Sequence, residues 1–277
     1  MTTIAISYTG AAFQLAAHQA AQELNLPLLA DNYIFSSASS ISDSGLNVNN
    51  AAVDFNLHYS SEGLVLGCTE SHTTVRCDFT SGANRHRMHH GGGNGQAIAK
   101  AVGVSGKFAP RVLDLTAGMA ADAFVLATLG CRLTLLERHP IVYRLLEDAL
   151  NRAAAAGQSD CQLAAIIDRM HLLKIDSGCY LDALEESNRP DIIYIDPMFP
   201  PRKKSAKVKK AMQAFHKLVG SDDDSAQLLE KSLAKARYRV VVKRPAQAEF
   251  LASAKPSYSL KGKSTRFDIY ALQKLPG

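Results

Sequence analysis

Late in the chain, Asp196-Pro197-Met198-Phe199-Pro200-Pro201 combines a carboxylate, an aromatic ring and three prolines. Proline locks φ and removes an N–H donor, so this stretch is a stiff turn that can aim carbonyl oxygens and the Asp196 carboxylate at one point. An exocyclic nucleobase amine needs such acceptors, because its lone pair is delocalised into the ring. Hydrogen bonds to Asp196 and a loop carbonyl favour a pyramidal nitrogen in line for attack on a methyl group, and positioning with electrostatics can lower much of such a barrier. Phe199 offers a flat face for an extruded base, worth about 1–3 kcal/mol of stacking. Asp196, Pro197 and Phe199 are therefore the candidate catalytic residues. The bland alternative is a proline-rich turn with a core phenylalanine.

Further chemistry sits at the predicted ends of earlier strands. Asp114-Leu115-Thr116-Ala117-Gly118-Met119 is a small-residue turn after a strand, where backbone can approach a ligand and the next helix presents free N–H groups. Glu137-Arg138 ends a second strand, and an acid there can grip both hydroxyls of a ribose. Asp176-Ser177 ends a third, where a carboxylate or hydroxyl can meet an adenine amino group. A glycine turn followed by an acid about 20 residues later also fits a dinucleotide site. Against that, the Gly-x-Gly-x-x-Gly run is missing, and Asp122 near the helix start repels a phosphate while suiting a sulfonium amino acid.

Arg202 to Lys210 carries six cations and no acid, beginning directly after the proline turn. Charge runs are often solvated surface, but beside a base-binding loop phosphate contact is the better reading. Arg202, Lys203, Lys204 and Lys207 are the candidate RNA contacts, joined by Lys243, Arg244 and Arg266 at predicted strand ends. A second cluster, Arg85-His86-Arg87-Met88-His89-His90, has no carboxylate or cysteine at metal-ligand spacing, so no metal is expected.

These residues need a frame to hold them. The 277 residues are 47% hydrophobic and 21% charged, enough for a large core in one domain plus an appendage. The net charge of +5 leans toward a polyanionic partner. No apolar run reaches the roughly 20 residues of a membrane span, and Met1-Thr2-Thr3-Ile4 lacks a basic signal-peptide start. Five scattered cysteines without a CxxC pair suit a reducing cytoplasm.

The front third reads as a small α+β unit over residues 1–90. It has a strand at Ile4–Tyr8, a helix over Ala11–Leu24, a Ser/Asn/Asp-rich loop over residues 36–50, and strand-like pieces at Val53–Leu57, Leu64–Gly67 and Val75–Phe79. The rest, residues 91–277, starts at the run Gly91-Gly92-Gly93-Asn94-Gly95 and a short helix from Gln96 to Val102. Strands and helices then alternate. Strands are expected at Val112–Leu115, Arg132–Leu136, Leu172–Ile175, Asp191–Ile195 and Arg239–Val242. Helices are expected at Ala120–Leu129, Ile141–Ala155, Leu181–Glu186, Val208–Val219 and Ala226–Ala236. Tyr258–Leu260 and Phe267–Leu272 form a terminal antiparallel hairpin. Alternation of this kind predicts a mostly parallel sheet covered on both faces, with ligands beyond the carboxyl ends of its strands.

From about Val53 onward the sequence resembles the bacterial 16S rRNA guanine-N2 methyltransferases called RsmJ. The stretches that carry the resemblance are Gly91 to Gly103, Asp122 to Ala127, Leu136-Glu137-Arg138, Asp196 to Pro200, Lys204-Ser205-Ala206, Val241 to Pro245 and Arg266 to Tyr270. The resemblance implies a class I methyltransferase fold (Rossmann-like), S-adenosylmethionine as donor, and a guanine near the 3′ end of 16S rRNA, free or in the 30S subunit or an assembly intermediate, as target. It also implies cofactor contacts from Ala121, Asp122, Glu137, Arg138, Asp176, Ser177 and Asp196, beside Asp114 and Gly118 of the turn. The family commonly has Gly-x-Gly-Arg before the Asp at 122, and here Met119, Ala120 and Ala121 make the turn bulkier. Three other readings stay open: transfer to an adenine N6 or protein glutamine, a nicotinamide-dependent oxidoreductase, and an RNA-binding assembly factor with an inactive fold.

Overall fold

The computed structural model describes residues 2–29, 53–81, 96–198, 218–220 and 224–276. The chain divides into two compact units, Met1–Cys77 with Pro200–Gly220, and Asp78–Phe199 with Ser221–Gly277.

In the first unit a four-stranded sheet has the order β1-β2-β3-β4, made of β1 (Ile4–Tyr8), β2 (Phe55–Tyr59), β3 (Val65–Cys68) and β4 (Thr73–Val75). The β1–β2 pair is parallel and the others are antiparallel. Helix α1 (Ala11–Leu24) buries Ala17, Ala20 and Ala21, small side chains that allow close approach, and ends at Asn25 in the left-handed conformation. The expected strand at Val75–Phe79 lies earlier instead, at Thr73–Val75. The chain turns at Asp78, whose Oδ1 accepts hydrogen bonds from the Thr80 amide and hydroxyl. Asp78 already belongs to the second unit, within which Phe79 stacks on Phe124, ring centres 5.0 Å apart.

The second unit is built on a seven-stranded sheet in the order β10-β11-β9-β8-β5-β6-β7. Its strands are β5 (Arg111–Asp114), β6 (Arg132–Glu137), β7 (Met170–Lys174), β8 (Ile192–Ile195), β9 (Arg239–Pro245), β10 (Tyr258–Lys261) and β11 (Thr265–Ala271). Strands β5 to β9 are parallel, and β11 runs antiparallel between β9 and β10. Between them lie α2 (Ala97–Val102), α3 (Ala121–Thr128), α4 (Pro140–Gly157), α5 (Cys161–Ile167), α6 (Ser177–Ala183) and α7 (Ser225–Lys235).

Side chains alternate across each strand, which sorts the core into two layers. Leu113, Ile193, Ile195, Val240 and Val242 pack with Leu181 and Leu184 beside α6 and with Leu228 and Leu229 of α7. Tyr194 therefore points to the opposite face, where its hydroxyl meets Asp122 of α3. Helix α5 is an element beyond the sequence expectation, and it begins at Asp160, whose side chain accepts from the Leu163 amide. The helix expected at Leu181–Glu186 starts earlier, at Ser177. Asp176 caps it by accepting from the Cys179 amide at 3.0 Å. The expected helix at Val208–Val219 lies almost wholly outside the described residues, as do Gly91–Gly95 and the Arg85–His90 cluster. Among the described residues, no helix is long and apolar enough to cross a membrane.

Candidate active site

Strand order reverses direction between β5 and β8, and such a switch point opens a crevice beyond the strands' carboxyl ends. Asp114 ends β5, and its Oδ1 accepts from the Thr116 amide at 3.0 Å. The Thr116 hydroxyl in turn accepts from the Asp196 amide at 2.7 Å, so the turns after β5 and β8 are tied together. Gly118 adopts φ +53°, a conformation that costs a side-chain-bearing residue about 1–2 kcal/mol. Ala120 adopts φ +51° despite its methyl group, with its amide bonded to the Ala117 carbonyl at 2.7 Å.

Glu137, at the end of β6, is buried. Its Oε2 accepts from the Gly118 amide at 2.9 Å and its Oε1 from the His139 amide at 2.8 Å. One carboxylate thus fixes both the glycine turn and the exit from β6.

A chain of charged contacts crosses the crevice. The Tyr194 hydroxyl donates to Asp122 Oδ2 at 2.7 Å. Lys243 Nζ, from β9, donates to the same Asp122 oxygen at 2.7 Å and to Asp196 Oδ2 at 2.9 Å. Burial would lower the Lys243 pKa, but the carboxylates of Asp196 and Asp122 outweigh it and hold the ammonium well above its ordinary range. Burial, joined by those two carboxylates, pushes the Tyr194 hydroxyl up. Asp114 is fully buried, and desolvation is the main cause that pushes it up to about 7. The Thr116 amide opposes the rise, while Asp196, Asp122 and Glu137 add to it. Four acids therefore act on one region, with Lys243 set between two of them. Such a crevice suits a cofactor that carries positive charge and hydroxyl groups, as S-adenosylmethionine does, and it disfavours a pyrophosphate.

The other expected cofactor residues lie nearby with other partners. Arg138 makes a two-pronged ion pair with Asp224, at 2.6 and 3.2 Å, and reaches Asp176 Oδ2 at 3.5 Å. The amide of Cys179 is the leading cause that holds the Asp176 carboxyl below its usual range. The buried hydroxyl of Ser177 donates to the Leu115 carbonyl at 2.6 Å. Ala121 opens α3 and is exposed, and Pro197 is buried. Phe199, Arg202, Lys203, Lys204 and Lys207 lie outside the described residues.

The three cations expected at the mouth turn out to have partners of their own. Lys243 is the bridge between Asp122 and Asp196. Arg266 is buried, donating through Nε and Nη2 to Asp268 at 2.8 and 2.9 Å. Arg244 is buried and donates to the Glu249 carbonyl at 3.0 Å. The two arginines hold the β9–β11 edge together and do not present free charge to a phosphate. Thr116, Tyr194 and Asp224 complete the site without having been singled out in the sequence. Tyr194 had a readable signal, being the one polar side chain of Ile192-Ile193-Tyr194-Ile195.

A cavity of about 500 Å³ lies elsewhere, at the amino edge of the sheet, where Arg111, Arg132, Arg169 and His171 line it. The carboxylates and the glycine turn stand at the opposite edge. Among the described residues no group of acids, cysteines and histidines has a metal-holding arrangement.

The chain is similar to known proteins over most of its length. Residues 40–272 match the family described as "Putative SAM-dependent methyltransferase". A protein of Cellvibrio japonicus named Ribosomal RNA small subunit methyltransferase J is 49% identical over 267 residues, 95% of this chain and 96% of its own length. The protein of the same name from Chromobacterium violaceum is 51% identical over 221 residues, 79% of this chain and 84% of its own. The crystal structure of a SAM-dependent methyltransferase from Neisseria gonorrhoeae superposes with a TM-score of 0.67 at 32% identity, covering 96% of this chain and 95% of the other.

Proposed function

We propose that this chain, which belongs to the ribosomal RNA small subunit methyltransferase J family of S-adenosylmethionine-dependent methyltransferases, methylates the exocyclic N2 of a guanine in 16S rRNA. The observation that carries the chemistry is Asp196, fixed at the β5–β8 crevice by the Thr116 hydroxyl and Lys243. The rRNA target is supported by the names of the relatives, and guanine N2 by the sequence resemblance.

When bound, S-adenosylmethionine supplies an electrophilic methyl group on a cationic sulfur. Glu137, at the carboxyl end of β6 beside the glycine turn, would hold the ribose. Asp114 would counter the cofactor's positive charge, Gly118 and Ala121 would line the turn against it, and Asp122 would close that side. Asp196 and the rigid Pro197 would orient the target amine as acceptor and support, and Phe199 would stack on the base. Arg202, Lys203, Lys204 and Lys207 would meet RNA phosphates. A ribosomal substrate would put this work in the cytoplasm.

Mass spectrometry of nucleosides from 16S rRNA tests the reading. Cells lacking the protein should lose one N2-methylguanosine, and the plasmid-borne gene should restore it where Asp196→Ala does not. An unchanged N2-methylguanosine content in the deletion strain would sink the target assignment.

A further inference from the structure

Lys243 lies on β9 beside the end of β8, on the face that carries Tyr194 and Asp196. Tyr194 pairs with Val241 across the two strands and Ile195 with Val242, which brings Lys243 level with Asp196. Its ammonium, 2.7 Å from Asp122 and 2.9 Å from Asp196, joins the α3 side of the crevice to the candidate amine acceptor. The side chains of Lys243, Asp122 and Asp196 are all about one-quarter to one-third exposed, at 27%, 27% and 37%. Neither a surface phosphate contact nor a sealed structural pair has this geometry. Among the described residues, the groups around Asp196 include Lys243 from β9, Asp122 from α3, Asp114 from β5 and Tyr194 on β8 itself, with Glu137 from β6 acting on Asp114.

We infer that Lys243 is a positioning residue for methyl transfer, which fixes Asp196 as a charged hydrogen-bond acceptor for the target amine and keeps it from acting as a proton-abstracting base. This rests on the reading of Asp196 given above. Methylation of an amine forms an N–C bond with the nitrogen's electron pair, breaks the C–S bond with both electrons left on sulfur, and sheds one proton from nitrogen. A carboxylate paired with an ammonium at 2.9 Å accepts a hydrogen bond well but is a poor sink for that proton, which therefore leaves to water. Without the ammonium, Asp122 and Asp196 repel each other, Asp196 swings away from its aim, and the cluster takes up a proton in its place.

The test compares Lys243→Met, Lys243→Arg and Asp196→Ala, assayed on 30S particles carrying unmodified 16S rRNA. Lys243→Met should lower kcat about 100-fold, the scale of a small misplacement, with the KM for rRNA changed less than about threefold, and its pH–rate profile should gain an acid limb. Calorimetry on the cofactor-free protein should show S-adenosylmethionine bound at least as tightly, since a cation has left an acidic crevice. Lys243→Arg should keep activity within about tenfold, because it restores the charge with a different shape. A raised rRNA KM with weakened salt dependence and intact kcat would make Lys243 a phosphate contact and overturn the inference, as would weakened cofactor binding. If Lys243→Met does not fold, Lys243→Gln, which also removes the charge, is read by the same split between kcat and KM. Asp196→Ala separates the two claims: full activity there defeats the reading of the loop, whereas an inactive Asp196→Ala beside a fully active Lys243→Met defeats only the role of Lys243.

Discussion

Two cation–carboxylate clusters stand a few residues apart on neighbouring strands, and they are built for opposite purposes. Arg266 and Asp268 on β11 are paired one to one, with side chains 7% and 1% exposed. Ser259 and the Ala246 carbonyl satisfy further valences. Lys243 on β9 serves two carboxylates, is partly exposed, and stands beside two more acids, so negative charge is in surplus among the described residues. A buried neutral pair holds strands in register. An unbalanced, half-open cluster waits for a cation or a hydrogen-bond donor from outside. Charge count per site separates framework from chemistry better than residue type does, since all three cations of this region look alike in the sequence.

The largest expected effect tests the framework cluster. Arg266→Ala leaves the Asp268 carboxylate buried and uncompensated, which should cost about 3–5 kcal/mol of stability, read as a lower urea midpoint. Calorimetry should find S-adenosylmethionine affinity unchanged under conditions where the variant is folded. On the other cluster, Glu137→Gln retains one acceptor oxygen for two backbone donors and loses the charge. Loss of a charge-assisted contact of about 1.5–3 kcal/mol should weaken cofactor binding by about tenfold or more. A melting temperature that falls steeply while affinity holds would move Glu137 into the framework class.

Smaller still is the effect of Asp122→Asn, which leaves Lys243 paired with Asp196 and removes one of the surplus charges. Stability should change by about 1 kcal/mol or less, with methyl transfer reduced more than stability, as chemical denaturation beside rRNA assays can show. The last signal is a pH slope. Asp114 rises from 3.8 to about 7 on folding, so the folded state holds the proton more tightly. Its favourable contribution is fully present below the unfolded value and is lost as pH rises through about 7. Between these limits wild-type stability should fall relative to Asp114→Asn by at most about 1.4 kcal/mol per pH unit. A cationic cofactor favours the ionised form, so binding near pH 7 should release a fraction of a proton, measurable by calorimetry in two buffers. No difference between wild type and Asp114→Asn would place Asp114 outside the electrostatic cluster.

Much of this frame was readable beforehand, for physical reasons. Buried parallel strands are aliphatic runs such as Val112-Leu113 and Ile192-Ile193, bounded by prolines, glycines and acids, and these stand out. The glycine turn and Glu137 were readable because each follows such a strand directly. Helix α5 was missed because Cys161–Ile167 is short and adjoins α4; its one local signal was the cap at Asp160. Asp176 was readable as a strand-end acid, though its capping of α6 depended on where that helix began. Lys243 was read as a cation with the right neighbours in sequence. Its partners, 121 and 47 residues away, are set by the β8–β9 register and the docking of α3, which no local pattern encodes.

The place of β11 has a consequence for the order of assembly. It spans Thr265–Ala271, yet it sits between β9 and β10, against the strand that carries Lys243. A chain that has gathered every acid of the crevice still has β9 as a bare edge until the hairpin folds back onto it. Loss of that hairpin should therefore leave Lys243 on an open sheet edge that can pair with another chain.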